Sequence, residues 1–193
     1  MVVTDGSTLD QSGTNVTLSA IADYAYYNQP DLNSYTFSAD ETVKVIGKLA
    51  FARTGLSNIV LPDGLLTISY GAFYHCDSLT NITIPDTVTN VEAYAFEYTP
   101  WLENWRNSAG SSDYLIVGDG VLIAYKGSGV DIVIPDGVKY IASGVFRGNN
   151  ELRSVTFPSG LLSIGSYAFS DCSSLTDLKN LSESVYRDPT AFD

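Results

Sequence analysis

The sequence predicts a β-rich solenoid with coils of about 23 residues and little helix, and three markers that recur in phase predict it. An Ala-Phe pair returns at residues 50–51, 72–73, 95–96, 168–169 and 191–192, and Val145-Phe146 fills the same place once. The phenylalanine spacings are 22, 23, 50, 23 and 23, so the 50 spans two coils with a few extra residues. Leu61-Pro62, Ile84-Pro85, Ile134-Pro135 and Phe157-Pro158 precede a phenylalanine by eleven or twelve residues. Leu56, Leu79, Leu152 and Leu175 open the units. A fixed period with several markers in step is the signature of stacked repeats.

Each element of a coil follows from its residues. Leu79, Ile82 and Ile84 are apolar and β-prone, with the last two alternating, so this stretch predicts a short strand. Pro85 lacks an amide donor and ends it. Asp86-Thr87, like Asp63-Gly64 and Asp136-Gly137, supplies a turn. Val88 and Val91 point inward on a second extended stretch. Ala95-Phe96 makes the next corner, where alanine permits close approach and phenylalanine fills the interior. Polar residues such as Cys76-Asp77-Ser78 return the chain to the next strand. The apolar burial of one such unit falls short of the backbone entropy of ordering it, so coils must stack.

Residues 97–129 break the period. Thr99-Pro100 predicts a helix start, with threonine as N-cap and proline in the first turn. Trp101, Leu102 and Trp105 share one face of that helix. Tyr114–Val117 and Val121–Tyr125 flank Gly118-Asp119-Gly120 and predict a hairpin. The organisation read from the sequence is one solenoid over 1–193. It has an irregular part at 1–31, regular repeats at 32–96, an insertion at 97–129, regular repeats at 130–181, and a partial repeat or cap at 182–193. Ala191-Phe192 stands in phase at the last residues, so the chain is expected to be cut from a longer protein.

The run Leu-Thr-Asn-Ile-Thr-Ile-Pro-Asp-Thr-Val-Thr-Asn-Val-Glu-Ala-Tyr-Ala-Phe at 79–96 resembles the BspA-type leucine-rich repeat. So does Leu-Leu-Ser-Ile-Gly-Ser-Tyr-Ala-Phe-Ser-Asp-Cys-Ser-Ser-Leu at 161–175. The resemblance covers about residues 32–181 and implies a right-handed leucine-rich-repeat superhelix in which hairpin insertions also occur. It further implies a bacterial surface or secreted protein, or one from a protist parasite, acting in adhesion or protein binding.

Composition narrows the function. Of 193 residues, 45% are apolar and 17% charged, which suits a folded domain. The net charge of −12 disfavours nucleic acid and anionic lipid as partners. No apolar run is long enough to span a bilayer, so direct membrane insertion is not expected. The start of the chain has no basic segment followed by an apolar one, so by itself it reads either as cytosolic or as a surface or secreted protein whose signal or anchor lies outside this sequence.

Chemistry-bearing sets are sparse. His75 is the lone histidine, placed beside a corner and expected to be exposed. A His75–Cys76 dyad competes with a packing role for Cys76, and Cys172 holds the same repeat position without a histidine. Two cysteines several coils apart cannot form an internal bridge. There is no Cys-x-x-Cys, no histidine pair and no EF-hand loop, so neither metal nor other cofactor is expected, and calcium could meet only scattered acids. Catalytic residues are expected to be none.

Binding is the expected role, by a monomer, with a host extracellular or surface protein as partner. On the strand face the outward residues are Ser57, Asn58 and Val60, then Thr80, Asn81 and Thr83, then Arg153, Ser154 and Thr156. Near the opposite corner stand Tyr70, Tyr74, Tyr94, Tyr98 and Tyr167. Candidate contacts are therefore Tyr74, His75, Tyr94, Tyr98, Trp101, Trp105, Asn58, Asn81 and Arg153. The tyrosines read either as edge packing with wetted hydroxyls or as contact residues. The tryptophans read either as anchors or as cover for the apolar edge at the interruption. A structural spacer and a sugar-binding module through Trp101 and Trp105 are the alternatives.

Overall fold

A computed structural model describes residues 8–9, 15–16, 20–38 and 42–193. The chain forms two compact units, residues 1–88 with 94–109, and residues 89–93 with 110–193. Each is a β-solenoid with the 23-residue coil spacing.

In the first unit, Ala20–Ile21, Val45–Ile46 and Thr67–Ile68 pair in parallel, and Asn58–Val60 pairs in parallel with Asn81–Thr83. One coil illustrates the packing. Leu56, Ile59, Leu61, Leu65, Ile68, Ala72, Phe73 and Cys76 are all buried. The counterparts in the second unit, Leu152, Val155, Phe157, Leu161, Ile164, Ala168, Phe169 and Cys172, are buried as well. The X-Pro turns close as the sequence predicts: Leu65, Val88, Val138 and Leu161 each donate an amide to the carbonyl of the proline three residues earlier.

The phenylalanines stack along the coil axis. Phe51, Phe73 and Phe96 lie nearly parallel at 5.4 and 5.6 Å between centroids. Phe146, Phe169 and Phe192 repeat this at 4.9 and 5.2 Å in the second unit. Offset stacking of this kind adds to the area each ring buries.

The second unit carries the hairpin where it was expected. Tyr114–Val117 pairs antiparallel with Val121–Tyr125, with an irregularity between Leu122 and Ala124. The hairpin does not interrupt the ladder, because Val121 and Leu122 pair in parallel with Tyr140 and Ile141. Ser163–Ile164 and Tyr186–Arg187 extend that sheet. On the other side, Asp131–Val133, Ser154–Thr156 and Asp177–Lys179 pair in parallel.

Several expectations need correction. Residues 1–31 were expected to be irregular. Residues 1–7, 10–14 and 17–19 of that stretch lie outside the described residues, and 20–28 form a regular corner. Ala20–Ile21 joins the parallel sheet, and Tyr26 stacks on Phe51 at 5.0 Å. Ser154 was expected to face outward but is buried, with its hydroxyl donating to the Asp131 carboxylate at 2.9 Å. Asp131 lies directly across the ladder from it, and that contact covers the hydroxyl.

Candidate functional site

The corner at each phenylalanine has a backbone the sequence did not foretell. The residues two before and two after the ring take left-handed conformations in coil after coil. In the first unit they are Tyr24 and Asn28, Leu49 and Arg53, Gly71 and His75, and Tyr94 and Tyr98. In the second they are Gly144 and Gly148, then Tyr167 and Asp171. This alternation points the amides of a corner along the stack. Leu49, Phe51 and Arg53 donate to the carbonyls of Tyr70, Ala72 and Tyr74 at 2.8–2.9 Å, and Gly144, Phe146 and Gly148 donate to Ser166, Ala168 and Ser170 at 2.8–3.0 Å. Each corner is thus bolted to the next by main-chain bonds. A left-handed non-glycine residue costs roughly 1–2 kcal/mol. The ladder holds His75 directly, its amide donating to the Glu97 carbonyl at 3.0 Å, and it holds the corner of Tyr94 and Tyr98 through Ala95 and Glu97, whose carbonyls accept from Phe73 and His75. Glycine at three of these positions was the signal that could have revealed the pattern.

A small polar side chain locks the corner from inside. The Thr54 hydroxyl donates to the Phe51 carbonyl at 2.8 Å, and the Cys76 thiol donates to that same carbonyl at 3.1 Å. The Cys172 thiol does the same to Phe146 at 3.1 Å. Both cysteines are buried and free. Burial is the main cause that raises both thiol pKa values above 9.0, and it disfavours the thiolate a nucleophile would need. Cys76 is therefore a corner lock.

The rigid corner of the first unit displays an aromatic edge. Tyr70 meets Tyr94 edge-on at 5.5 Å. Tyr74 meets Tyr98 edge-on at 5.4 Å, and His75 stacks on the Tyr98 ring at 4.4 Å. Tyr94 and Tyr98 remain 47% and 51% exposed. His75 was expected to be exposed, but Tyr74 and Tyr98 cover most of it and leave 34% of its side chain exposed, and its Nδ1 lies 3.2 Å from Asp77.

The other candidates stand elsewhere. Asn58 and Asn81 are exposed register partners on the strand face, their amides donating to the hydroxyls of Ser57 and Thr80. Arg153 lies in the second unit, 3.5 Å from Asp131. The helix Pro100–Asn107 forms as predicted, with the Thr99 hydroxyl accepting from the Leu102 amide. Leu102 is its buried residue, while Trp101 and Trp105 are half-buried. Trp101 packs edge-on to Phe96 at 5.0 Å, and its amide donates to the Leu79 carbonyl at 2.8 Å. Trp101 thus packs against the last ring of the Phe51, Phe73 and Phe96 stack. Arg106 binds both Glu97 and Glu103, which raises its pKa, Glu97 contributing most. In the hairpin, burial chiefly pushes the Tyr114 hydroxyl up to about 12. Among the described residues, no group of three or more His, Cys, Asp or Glu could hold a metal ion, and no helix is long and apolar enough to cross a membrane.

No curated protein matches the chain. Among solved structures, it is similar to the pneumococcal vaccine antigen PcpA, with 20% identity over 92% of this chain and 54% of that one, at a TM-score of 0.43. It is similar to a leucine rich cell surface protein from Faecalibacterium prausnitzii, with 24% identity, 84% and 58% coverage, and a TM-score of 0.36. A leucine rich repeat protein of T. pallidum matches at 24% identity, with 93% and 70% coverage and a TM-score of 0.36. The chain thus spans little more than half the length of the first two. The model of the BspA type leucine rich repeat region matches six copies, over residues 15–111 and 124–193. With most of its length matched by that repeat, the chain belongs to the BspA-type leucine-rich repeat family.

Proposed function

We propose that the chain is a non-catalytic binding module of a cell-surface or secreted protein, acting as a monomer that adheres to a protein partner such as a host extracellular or surface protein. The observation that carries this reading is the aromatic edge of the first unit. Tyrosine offers large amphipathic contact area with few rotatable bonds, which is why binding surfaces favour it. Here the rings pack edge-on in pairs, Tyr70 on Tyr94 and Tyr74 on Tyr98, which limits the rotamer freedom lost on association.

The test is a screen of the full chain against extracellular-matrix, plasma and bacterial-surface proteins, with a glycan panel beside it. Saturable protein binding is expected, weakened at least tenfold by Tyr74→Ala with Tyr98→Ala. Asn58→Ala and Asn81→Ala, on the strand face, are expected to change it less than twofold. Glycan binding lost on Trp105→Ala would replace this reading with sugar recognition. Silence on both panels would leave a structural spacer.

A further inference from the structure

Two basic side chains of this chain already lie over tyrosines at the corners. The Lys48 ammonium sits 5.6 Å from the Tyr70 ring centre, and the Arg147 guanidinium sits 5.5 Å from that of Tyr167. Both distances are those of cation–π attraction. Tyr167 and Tyr94 hold the same repeat position, two before the phenylalanine. Arg147 follows Phe146 directly, and the residue that follows Phe73 is Tyr74. At the place of Arg147 the first unit therefore has Tyr74, whose ring packs on Tyr98, while Tyr94 meets Tyr70, the ring that Lys48 covers. Tyr94 and Tyr98 stay half-exposed, and the Asp77 carboxylate stands beside His75, 78% exposed. Arg106 is committed to Glu97 and Glu103. The chain as a whole carries −12.

From this juxtaposition we propose that the aromatic edge takes a lysine- or arginine-rich segment of the partner protein, its cations seated on Tyr94 and Tyr98 with Asp77 as counter-charge. The proposal rests on the protein-binding reading and adds the chemistry of the partner. Net charge steers a cationic segment to the molecule, and the ring quadrupoles fix where it stops. Arg53, at the position corresponding to His75 on the coil before, repels such a segment, so the segment runs along Tyr94 and Tyr98.

The experiment titrates the full chain with a fluorescent oligolysine, an oligoglutamate and a neutral glycine-serine peptide of equal length. Oligolysine alone is expected to saturate. Tyr94→Gly and Tyr98→Gly should each weaken it about threefold to tenfold, as loss of a cation–π contact implies. Glycine is the informative replacement because it suits the left-handed backbone, and Gly71, Gly144 and Gly148 stand at corresponding places. Tyr98→Phe should keep the affinity, since the ring remains. Asp77→Asn should weaken binding, Arg53→Ala should strengthen it, and Asp136→Asn, at a turn of the other unit, should change nothing. Equal oligolysine affinity in the tyrosine variants and the parent would overturn the proposal, because net charge alone would then explain the binding. So would preference for either other peptide. A partner from the protein screen that needs Tyr98 but carries no basic segment would sink this inference while leaving the binding role intact. A screen and an oligolysine titration that both fail at this edge would remove both.

Discussion

The two units share a backbone and differ in what they hang on it. Both stack phenylalanines near 5 Å apart, both bolt corner to corner through the same amides, and both lock a corner with a buried thiol. Both units mix glycine with larger residues at the left-handed positions: the second has Gly144, Gly148, Tyr167 and Asp171, and it covers Tyr167 with Arg147, itself paired to Asp171 at 3.3 Å. The first has Gly71 with His75, Tyr94 and Tyr98 at its last two corners, the larger three at a conformational cost glycine avoids, and it leaves Tyr94 and Tyr98 half-exposed. The interior is therefore conserved between the units by packing, while the corner surface is free to vary. A feature that costs stability and adds no core contact is where function is to be sought.

The comparison yields ordered tests. The largest effect is expected inside. Phe73→Ala and Phe169→Ala should each cost about 3–5 kcal/mol, because each leaves a cavity in a stack, and urea unfolding measures it. Clearly unequal costs would break the claim that the interiors are equivalent. Next comes an exchange of surfaces. Tyr74→Arg places in the first unit the cation that the second already has, and oligolysine affinity should fall about tenfold as Tyr94 gains an internal partner. Arg147→Tyr should create weak oligolysine binding at Tyr167, and no change in either variant would dissolve the contrast.

A smaller effect concerns the thiols. Their pKa values are raised in the folded chain, so the stability they lend is complete below 9.0 and declines as pH rises past that value toward the folded one. Cys76→Ala should flatten the loss of stability between pH 9 and the folded pKa, measured as the slope of urea midpoint against pH. A thiol reagent at neutral pH should label neither cysteine until denaturant is added. The smallest effect is at Tyr94. Tyr94→Gly relieves the left-handed strain and loses edge contact with Tyr70, so stability should stay within about 1 kcal/mol of the parent. The reverse change, Gly148→Tyr, should cost about 1–2 kcal/mol by the same argument, although open space surrounds the site.

The sequence by itself determined the coil. The Ala-Phe and X-Pro markers place interior residues and turns at a fixed step, and burial of Leu79, Val88 and Phe96 follows because water leaves no other stable place for them. The helix start at Thr99-Pro100 and the hairpin around Gly118–Gly120 were legible too, since capping and turn chemistry are local. Burial of Ser154 was not legible, because alternation along one strand says nothing of the acid facing it across the ladder. Nor was the binding edge. The tyrosines could be seen in the sequence, but their pairing depends on a left-handed conformation at Tyr94 and Tyr98, where a side chain other than glycine is locally disfavoured. The main-chain bonds that hold this corner run from Phe73 and His75 to Ala95 and Glu97, and they exist only once the coils are stacked.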